Sequence, residues 1–512
     1  MDRPSPPSAG LSALRILIGT AVAYVLYRAL YNVYFHPLRT YPGPRLRAAS
    51  RLPYTISLFR GDATHRNKAL HDKYGQVVRI APDTLSYTAG QAWNDVYALR
   101  QSNESGSGNL PKDPKIYVNM PGSVINISTA DDVDHRRMRR LQAHAFSEKA
   151  ILLQEPYLVE FTQKFITCLR NEAAAPQRDG VVDLVKWVNF LTTDIIGDLS
   201  FGETFGGLDT HELHSWLSTM FTAVKAFTFI REVLRLPAPL IKAALKCIPK
   251  KMEEKRTNAV AFGAEAAKRR MARTSDKPDF MSYMLRHNEQ DGKGMSKAEL
   301  EMAATVFIIA GSETTATMIS GTMYLLLRNP KILSQLTTSI RTDFPRESEM
   351  TNQKLQQHEH LNCVLKEGLR LYPPAPDSLF RTTKDKSVVV AGKVVPPQTS
   401  ITVNLWASGR DPANYHRPLE FIPERWMKDA PEEFSVDDQA AFRPFSAGPR
   451  DCIGKNLAWA EMRLILSHLV WNFDFLGLEK DSENWIENQK IYSLWEKSPL
   501  NVKIAPRKPI ES

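Results

Sequence analysis

Phe445-Ser-Ala-Gly-Pro-Arg-Asp-Cys-Ile-Gly454 decides the reading of this chain. The stretch sets one cysteine, Cys452, among small and backbone-permissive neighbours, and an apolar run from Leu457 to Val470 follows at once. Gly448 permits a tight turn before the thiol, and Gly454 lets a flat group approach the backbone after it. A cysteine at a helix start, two residues after Arg450, is expected to have a lowered pKa and to exist as thiolate, the form that binds a metal. Phe445 is placed to shield the sulfur from water. The competing description of any single cysteine is a packed, inert thiol, and it suits Cys168, Cys247 and Cys363, which lie in apolar, helix-like surroundings.

Those four cysteines are all that 512 residues contain, and none stands close to another, which excludes a zinc cluster and a disulfide scaffold. With 43% hydrophobic and 24% charged residues the chain can bury a large core. The net charge of +10 is spread along the sequence rather than gathered in a stripe, so a membrane surface or an acidic protein fits it better than nucleic acid. Neither Gly-x-Ser-x-Gly nor His-Glu-x-x-His occurs, so neither hydrolase signature is present.

At the N-terminus, Leu11 to Phe35 is largely apolar. As a helix it would span roughly 37 Å, enough to cross a hydrocarbon core of about 30 Å. Arg15 and Arg28 lie near its ends, where they can snorkel, and Tyr24, Tyr27, Tyr31 and Tyr34 suit the headgroup boundary. Arg39, Arg45, Arg47 and Arg51 follow the segment while Arg3 precedes it, which places the body on the cytosolic side. Tyr41-Pro-Gly-Pro-Arg45 then forbids helix continuation. The expected division is an anchor and junction over residues 1–40 and one body over 41–512.

Strand-like pieces occur at Gln76–Ile80, Thr84–Thr88, Val388–Val390, Val394–Val395 and Ser400–Asn404, and most of the remainder has helical spacing. One helix can be bounded closely. Ser296-Lys-Ala-Glu299 is a capping box that starts it at Lys297, and no proline follows until Pro330, leaving room for some 32 residues, on the order of 48 Å. From Met302 to Ala310 it is apolar on every face, the pattern of a helix buried through the centre of a domain. Ala310-Gly-Ser-Glu-Thr-Thr315 then sets a glycine, a carboxylate and three hydroxyls in that helix, a local violation of the kind found at functional sites.

The cysteine stretch resembles the ligand loop of the cytochrome P-450 family, Phe-x-x-Gly-x-Arg-x-Cys-x-Gly, with every fixed position met. The resemblance implies that Cys452 is the axial ligand of a haem b iron, with Phe445, Gly448 and Gly454 completing the loop and Arg450 pairing with a haem propionate. The central helix resembles the family's oxygen-binding helix, which makes Glu313 and Thr314 an acid–alcohol pair for proton delivery; the alternative for Thr314 is a bond to its own i−4 carbonyl. Glu367-Gly-Leu-Arg370 and Phe421-Ile-Pro-Glu-Arg425-Trp resemble the family's structural triad, which makes Glu367, Arg370 and Arg425 a scaffold. Arg381 is a second propionate partner. His135 and Arg139 stand where the family has Trp-x-x-x-Arg and are read as hydrogen-bond donors to the haem, with histidine replacing tryptophan. Arg136, Arg137 and Arg140 are expected to meet an acidic reductase.

The implied fold is mainly α with small β-sheets, the cytochrome P-450 fold, preceded by one transmembrane helix. The implied activity is hydroxylation, epoxidation or desaturation of a lipophilic small molecule, using O2 and electrons from NADPH through cytochrome P-450 reductase, with cytochrome b5 a second donor. The run Tyr31-Asn-Val-Tyr-Phe-His-Pro is most similar to microsomal enzymes of filamentous-fungal secondary metabolism, single-pass in the endoplasmic reticulum membrane. Expected substrate walls are Val118–Ile125, Met302–Ala310, Ala375–Leu379 and Tyr492–Trp495, with Val124, Phe307, Ala310, Asp377, Leu379 and Leu494 named and Ser378 a second polar contact. Two rivals stand beside this reading: an NADPH-independent isomerase or dehydratase of P-450 type, and a haem-binding sensor or carrier without turnover.

Overall fold

The computed structural model describes residues 9–98, 110–117, 124–237, 239–241, 250–273, 277–288, 294–377 and 379–507. The helices that position the site are α1 (Ala9–Tyr34), α2 (Leu52–Arg60), α3 (Asp132–Gln142), α4 (Leu184–Phe201), α5 (Ser215–Val233), α6 (Lys297–Arg328), α7 (Glu359–Leu371) and α8 (Lys455–Asn472). Ser12–Tyr34 of α1 is long and apolar enough to cross a membrane, and nothing in the body covers it until its last turns. There Asn32 donates to the Ala49 carbonyl at 3.0 Å, and the buried Arg79 guanidinium donates to the Asn32 carbonyl at 2.9 Å.

Strands β1 (Val77–Ala81), β2 (Thr84–Tyr87), β4 (Arg381–Thr382) and β7 (Ser400–Val403) form a sheet in the order β1-β2-β7-β4, with β2 and β7 parallel. A second sheet runs β3 (Val181–Asp183), β11 (Asn501–Pro506), β8 (Phe473–Leu478), and two hairpins pair β5 (Val388–Val390) with β6 (Lys393–Val395) and β9 (Lys490–Tyr492) with β10 (Leu494–Glu496). The expected strands fall on β1, β2, β5, β6 and β7. The C-terminal strands and β3 went unread because their partners lie far along the chain, as in the pairing of Val502 with Val182.

Helix α6 has the expected bounds. Ser296 Oγ accepts from the Glu299 amide and the Glu299 carboxylate accepts from the Ser296 amide, so two otherwise unpaired donors are satisfied reciprocally. Helix α4 is buried around nearly its whole circumference and packs on α6. A Cβ on Gly311 would come within 2.6 Å of Ile196 Cδ1, so the glycine of the polar segment is required by close approach of α4.

Protein covers only part of the apolar stretch of α6. Ala303, Ala304, Phe307 and Ile308 are buried, whereas Met302, Val306 and Thr314 are half-buried and Ala310 is exposed. These four recur at i, i+4, i+8 and i+12, one stripe of a helix. A mid-helix alanine exposed within an otherwise half-buried stripe marks an accessible face of this helix.

Candidate active site

The cysteine loop precedes α8. Ser446 and Gly448 both take positive φ, 64° and 74°, and a Cβ on Gly448 would collide with the Tyr97 carbonyl, so glycine is required there for turn and approach alike. The Cys452 amide donates to the Phe445 carbonyl at 2.9 Å and closes the loop, while the Phe445 ring packs on Trp459 with centroids 6.0 Å apart. Cys452 is the exposed cysteine of the three described, yet burial is the largest influence on its thiol. A sulfur that is both accessible and surrounded by protein looks onto an internal face. The lowered pKa expected from the sequence is corrected: burial pushes the thiol up, and the pull of the Gly454 amide, Arg139 and Lys455 is the weaker effect. Arg450 donates instead to Asp132 and the Ala130 carbonyl at 2.8 and 2.9 Å.

Cations gather beside this loop. Arg450 Nη1 is buried and has no hydrogen-bond partner. Arg381 is buried, donates to the Phe380 carbonyl at 3.1 Å and lies over the Tyr97 ring at 5.1 Å. Lys112, bridged to Arg381 in the backbone, is held well below the usual lysine range by burial and by the fields of Arg381 and Arg450. His135 is buried and pushed down to about 3 by burial, then by Arg450, Lys112 and Arg139, so it is a neutral imidazole with one N–H to give. Arg139 is engaged by the Asp451 carbonyl at 2.6 Å and by the Asp451 carboxylate. Arg137 is half-buried and tied to Asp134 and Glu299 at 2.8 and 2.6 Å, whereas Arg136 and Arg140 are exposed.

On α6 the Thr314 hydroxyl donates to the Ala310 carbonyl at 2.6 Å, the i−4 bond. Glu313 forms a buried ion pair with Lys497, and Lys497 also donates to the Thr317 hydroxyl at 2.8 Å. Thr315 donates at 2.8 Å to Glu461 of α8, whose carboxyl burial pushes up to about 8, so this link between the two helices is neutral at physiological pH. A carboxyl with a folded pKa above its ordinary 4.5 contributes stability that is full below that value and lost as pH rises to about 8. Glu461→Gln keeps an acceptor for Thr315 and cannot ionise. It is expected to flatten the pH dependence of the denaturation midpoint across that window and to exceed the wild type at its alkaline end by up to about 5 kcal/mol. An unchanged pH profile would count against this account of Glu461.

Phe307 points into the core, its ring 5.1 Å from Phe146 and 5.5 Å from Phe280, away from the Ala310 stripe. Asp377 accepts from Asn67 and Asn404, both at 3.1 Å, and burial pushes it up to about 6. The Leu379 carbonyl accepts from the Tyr97 hydroxyl at 2.6 Å. Leu494 and Val124 are half-buried. Residues 118–123 and Ser378 lie outside the described residues.

Away from the stripe, Glu367 is fully buried and accepts from Arg370 at 2.8 and 2.7 Å, Arg425 at 3.2 Å, the Ile422 amide at 2.8 Å and the Trp426 indole at 2.8 Å. Arg425 also reaches Asp437 at 2.6 Å.

The family model for cytochrome P450 matches residues 49–504. The chain belongs to the cytochrome P-450 family. The cytochrome P-450 monooxygenase astA of Talaromyces wortmannii is 40% identical over 97% of this chain and 98% of its own length. The trichothecene C-15 hydroxylase of Fusarium sporotrichioides is 37% identical over 96% and 97%, and the averantin hydroxylase of Dothistroma septosporum 37% identical over 96% and 91%. This P-450 is therefore an oxidoreductase of small molecules that works with haem and a redox partner.

The residues present fit a haem. A Cβ on Gly454 would sit 4.0 Å from Cys452 Sγ and 3.9 Å from the Phe146 ring at an unstrained φ of −83°, so protein packing does not demand glycine there, and its absent side chain leaves space for a flat group beside the sulfur. The unpaired Arg450 Nη1, with Arg381, Lys112 and neutral His135, is a donor set for two carboxylates. Lys112 was missed from the sequence, where one lysine in a polar loop carries no signal. So were Tyr117, hydrogen-bonded to Arg381, and Lys497, which reaches Glu313 across 184 residues.

Proposed function

We propose that this P-450 is an anchored, single-pass monooxygenase of the endoplasmic reticulum, with its body in the cytosol. In this reading it takes electrons from NADPH through cytochrome P-450 reductase, with cytochrome b5 a second donor, and hydroxylates, epoxidises or desaturates a lipophilic small molecule of fungal secondary metabolism. The observation that carries it is the accessible thiol of Cys452 beside a cluster of cations, among them Arg450 with one buried N–H group unengaged among the described residues, together with the stripe from Met302 to Thr314. Cys452 would bind the haem iron through its sulfur, and Arg450, Arg381, Lys112 and His135 would hold the propionates, while Arg139 braces the cysteine loop through Asp451. Bound haem supplies the activation of dioxygen, which an axial thiolate favours. The apolar stripe receives the substrate, and Ala310 leaves room where a larger residue would intrude. Arg136 and Arg140 supply positive charge for an acidic reductase face.

Proton delivery falls to Glu313 and Thr314, and here the geometry adds a condition. With Glu313 paired to Lys497 and the Thr314 hydroxyl turned to Ala310, a relay between them requires the carboxylate to leave Lys497 and the hydroxyl to leave the carbonyl. Glu313→Gln and Thr314→Ala are each expected to lower the product formed per NADPH by about a hundredfold, within the usual range for losing an acid–base group. The carbon monoxide spectrum of both variants should stay that of the parent. Lys497→Met leaves a buried carboxylate without its counter-charge and is expected to lower the same ratio, whereas Lys497→Arg should restore most of it.

The test is incubation of full-length protein with reductase, NADPH and panels of terpenoids, polyketides and indole alkaloids under isotopically labelled dioxygen. Oxidised, NADPH-dependent products are expected, with label in those that gain oxygen. Turnover without NADPH would return the isomerase or dehydratase reading, and absence of turnover with tight binding the sensor reading.

A further inference from the structure

Arg231 on α5 is 5% exposed, and its Nε is buried with no hydrogen-bond partner. Among the described residues no carboxylate lies within ion-pair distance of it. A guanidinium stays charged at any physiological pH, and an uncompensated buried charge is among the more costly features a fold can carry. The obvious local partner is already taken. Glu232, the next residue, is gripped by Arg51 at 2.9 and 3.0 Å and accepts from Thr55 at 3.0 Å. Asp377 is held by the Asn67 and Asn404 amides.

The place of Arg231 says what could meet it. Thr228, one turn earlier on the same face, contacts the Ser493 hydroxyl at 3.3 Å in the turn of the β9–β10 hairpin. The field of Arg231 is felt by Asp377 in the loop after α7, by Tyr54 on α2, and by Tyr117, which also feels Arg381 and Arg450 of the cation cluster. Arg231 therefore lies between the Ala375–Leu379 loop, the Tyr492–Trp495 hairpin and the Tyr117 end of the cation cluster. On another face of the same helix turn, Phe229 stacks on Phe59 at 4.8 Å and lies beside Tyr492 at 5.8 Å, which adds aromatic surface to this end of α5.

We propose that Arg231 binds an anionic oxygen of the substrate, so that the lipophilic molecule this P-450 oxidises carries a carboxylate or an equally acidic enol. The planar fork of a guanidinium matches a carboxylate in two parallel hydrogen bonds, and its strength is greatest where water is excluded. The inference rests on the oxidase reading of the site, and assigns to it one end of the ligand.

The test uses the full-length protein in microsomes and matched probe pairs of one shape and different charge, lauric acid with methyl laurate and 2-naphthoic acid with methyl 2-naphthoate, titrated by difference spectroscopy. In the wild type at least one acid is expected to bind at least about tenfold more tightly than its ester. Arg231→Gln should bring that ratio to near one while leaving ester binding unchanged, and Arg231→Lys should keep part of it. An acid that never outbinds its ester, including silence from both members of every pair, overturns the proposal, as does a preference that survives Arg231→Gln. Haem content and the carbon monoxide spectrum are read in the same samples. Loss of haem in Arg231→Gln would assign the residue to the cofactor instead, while absence of a thiolate-type spectrum in the wild type would sink the oxidase reading itself.

Discussion

Glu367→Gln is expected to keep the protein from accumulating in a haem-binding form. The carboxylate has no exposed surface, and its donors come from α7, from the Ile422 amide and from the Arg425 and Trp426 side chains, so it ties the helix to the segment that leads to the cysteine loop. Glutamine is isosteric but brings an NH2 group against donors, and it leaves the Arg370 charge buried beside carbonyls alone. Breaking a buried ion pair by removing one partner costs roughly 3–5 kcal/mol. Against total stabilities of about 5–15 kcal/mol, that is enough to populate unfolded chains at growth temperature. Burial alone would raise the Glu367 pKa, but Arg370 and Arg425 win and hold it below the ordinary 4.5. A depressed pKa contributes stability that is present above the ordinary value and lost as pH falls through the folded one. The contribution of Glu367 is therefore expected to be lost only in acid, and Glu367→Gln to lack that acid limb. Guanidinium denaturation at several pH values, with holoprotein yield, reads both effects. A variant that unfolds at the wild-type midpoint would show that the triad is dispensable.

Capping chemistry is local, and for that reason α6 could be bounded to the residue from Ser296-Lys-Ala-Glu299 and Pro330. The strands near residues 77–87 and 388–403 were legible too, because their apolar β-branched runs are short and set between turns. Asn501–Pro506 alternates buried and less buried residues, yet its pairing with Val181–Asp183 spans most of the chain and no local pattern announces it. At Met302–Ala310 composition could not say which face is covered, since a helix wall that faces a lipophilic ligand and one that faces the protein core call for the same residues. The charged residues resisted most. Arg137 looks like its neighbours Arg136 and Arg140 in the sequence, and only Glu299, far along the chain, separates its role from theirs. Lys112, Arg231, Glu461 and Lys497 are of the same kind: what they do depends on which charge stands opposite, or on there being none.

Cys452→Ser is expected to abolish the thiolate-type carbon monoxide spectrum and to lower product formation more than about a thousandfold, equivalent to roughly 4 kcal/mol of barrier. The loop itself should survive. The bond that closes it comes from the Cys452 amide to the Phe445 carbonyl, and a serine oxygen can still accept from the Gly454 amide that faces the sulfur. A hydroxyl, with an intrinsic acidity far below that of a thiol, supplies no comparable anionic ligand at neutral pH. The raised pKa of the Cys452 thiol sharpens this expectation. Burial outweighs the nearby positive charge, so in the proposed reading coordination to the haem iron would have to remove the proton. Three control substitutions separate ligation from packing. Cys363 is buried in α7 with its thiol pushed up to about 11, and Cys168 is half-buried with its thiol 3.4 Å from the Leu208 carbonyl. Cys363→Ser is expected to cost stability by placing a hydroxyl in an apolar core while leaving the spectrum unchanged; Cys168→Ser and Cys247→Ser should leave it unchanged as well. If Cys452→Ser kept the thiolate-type spectrum and one of the controls lost it, the axial ligand would have to be reassigned to that residue.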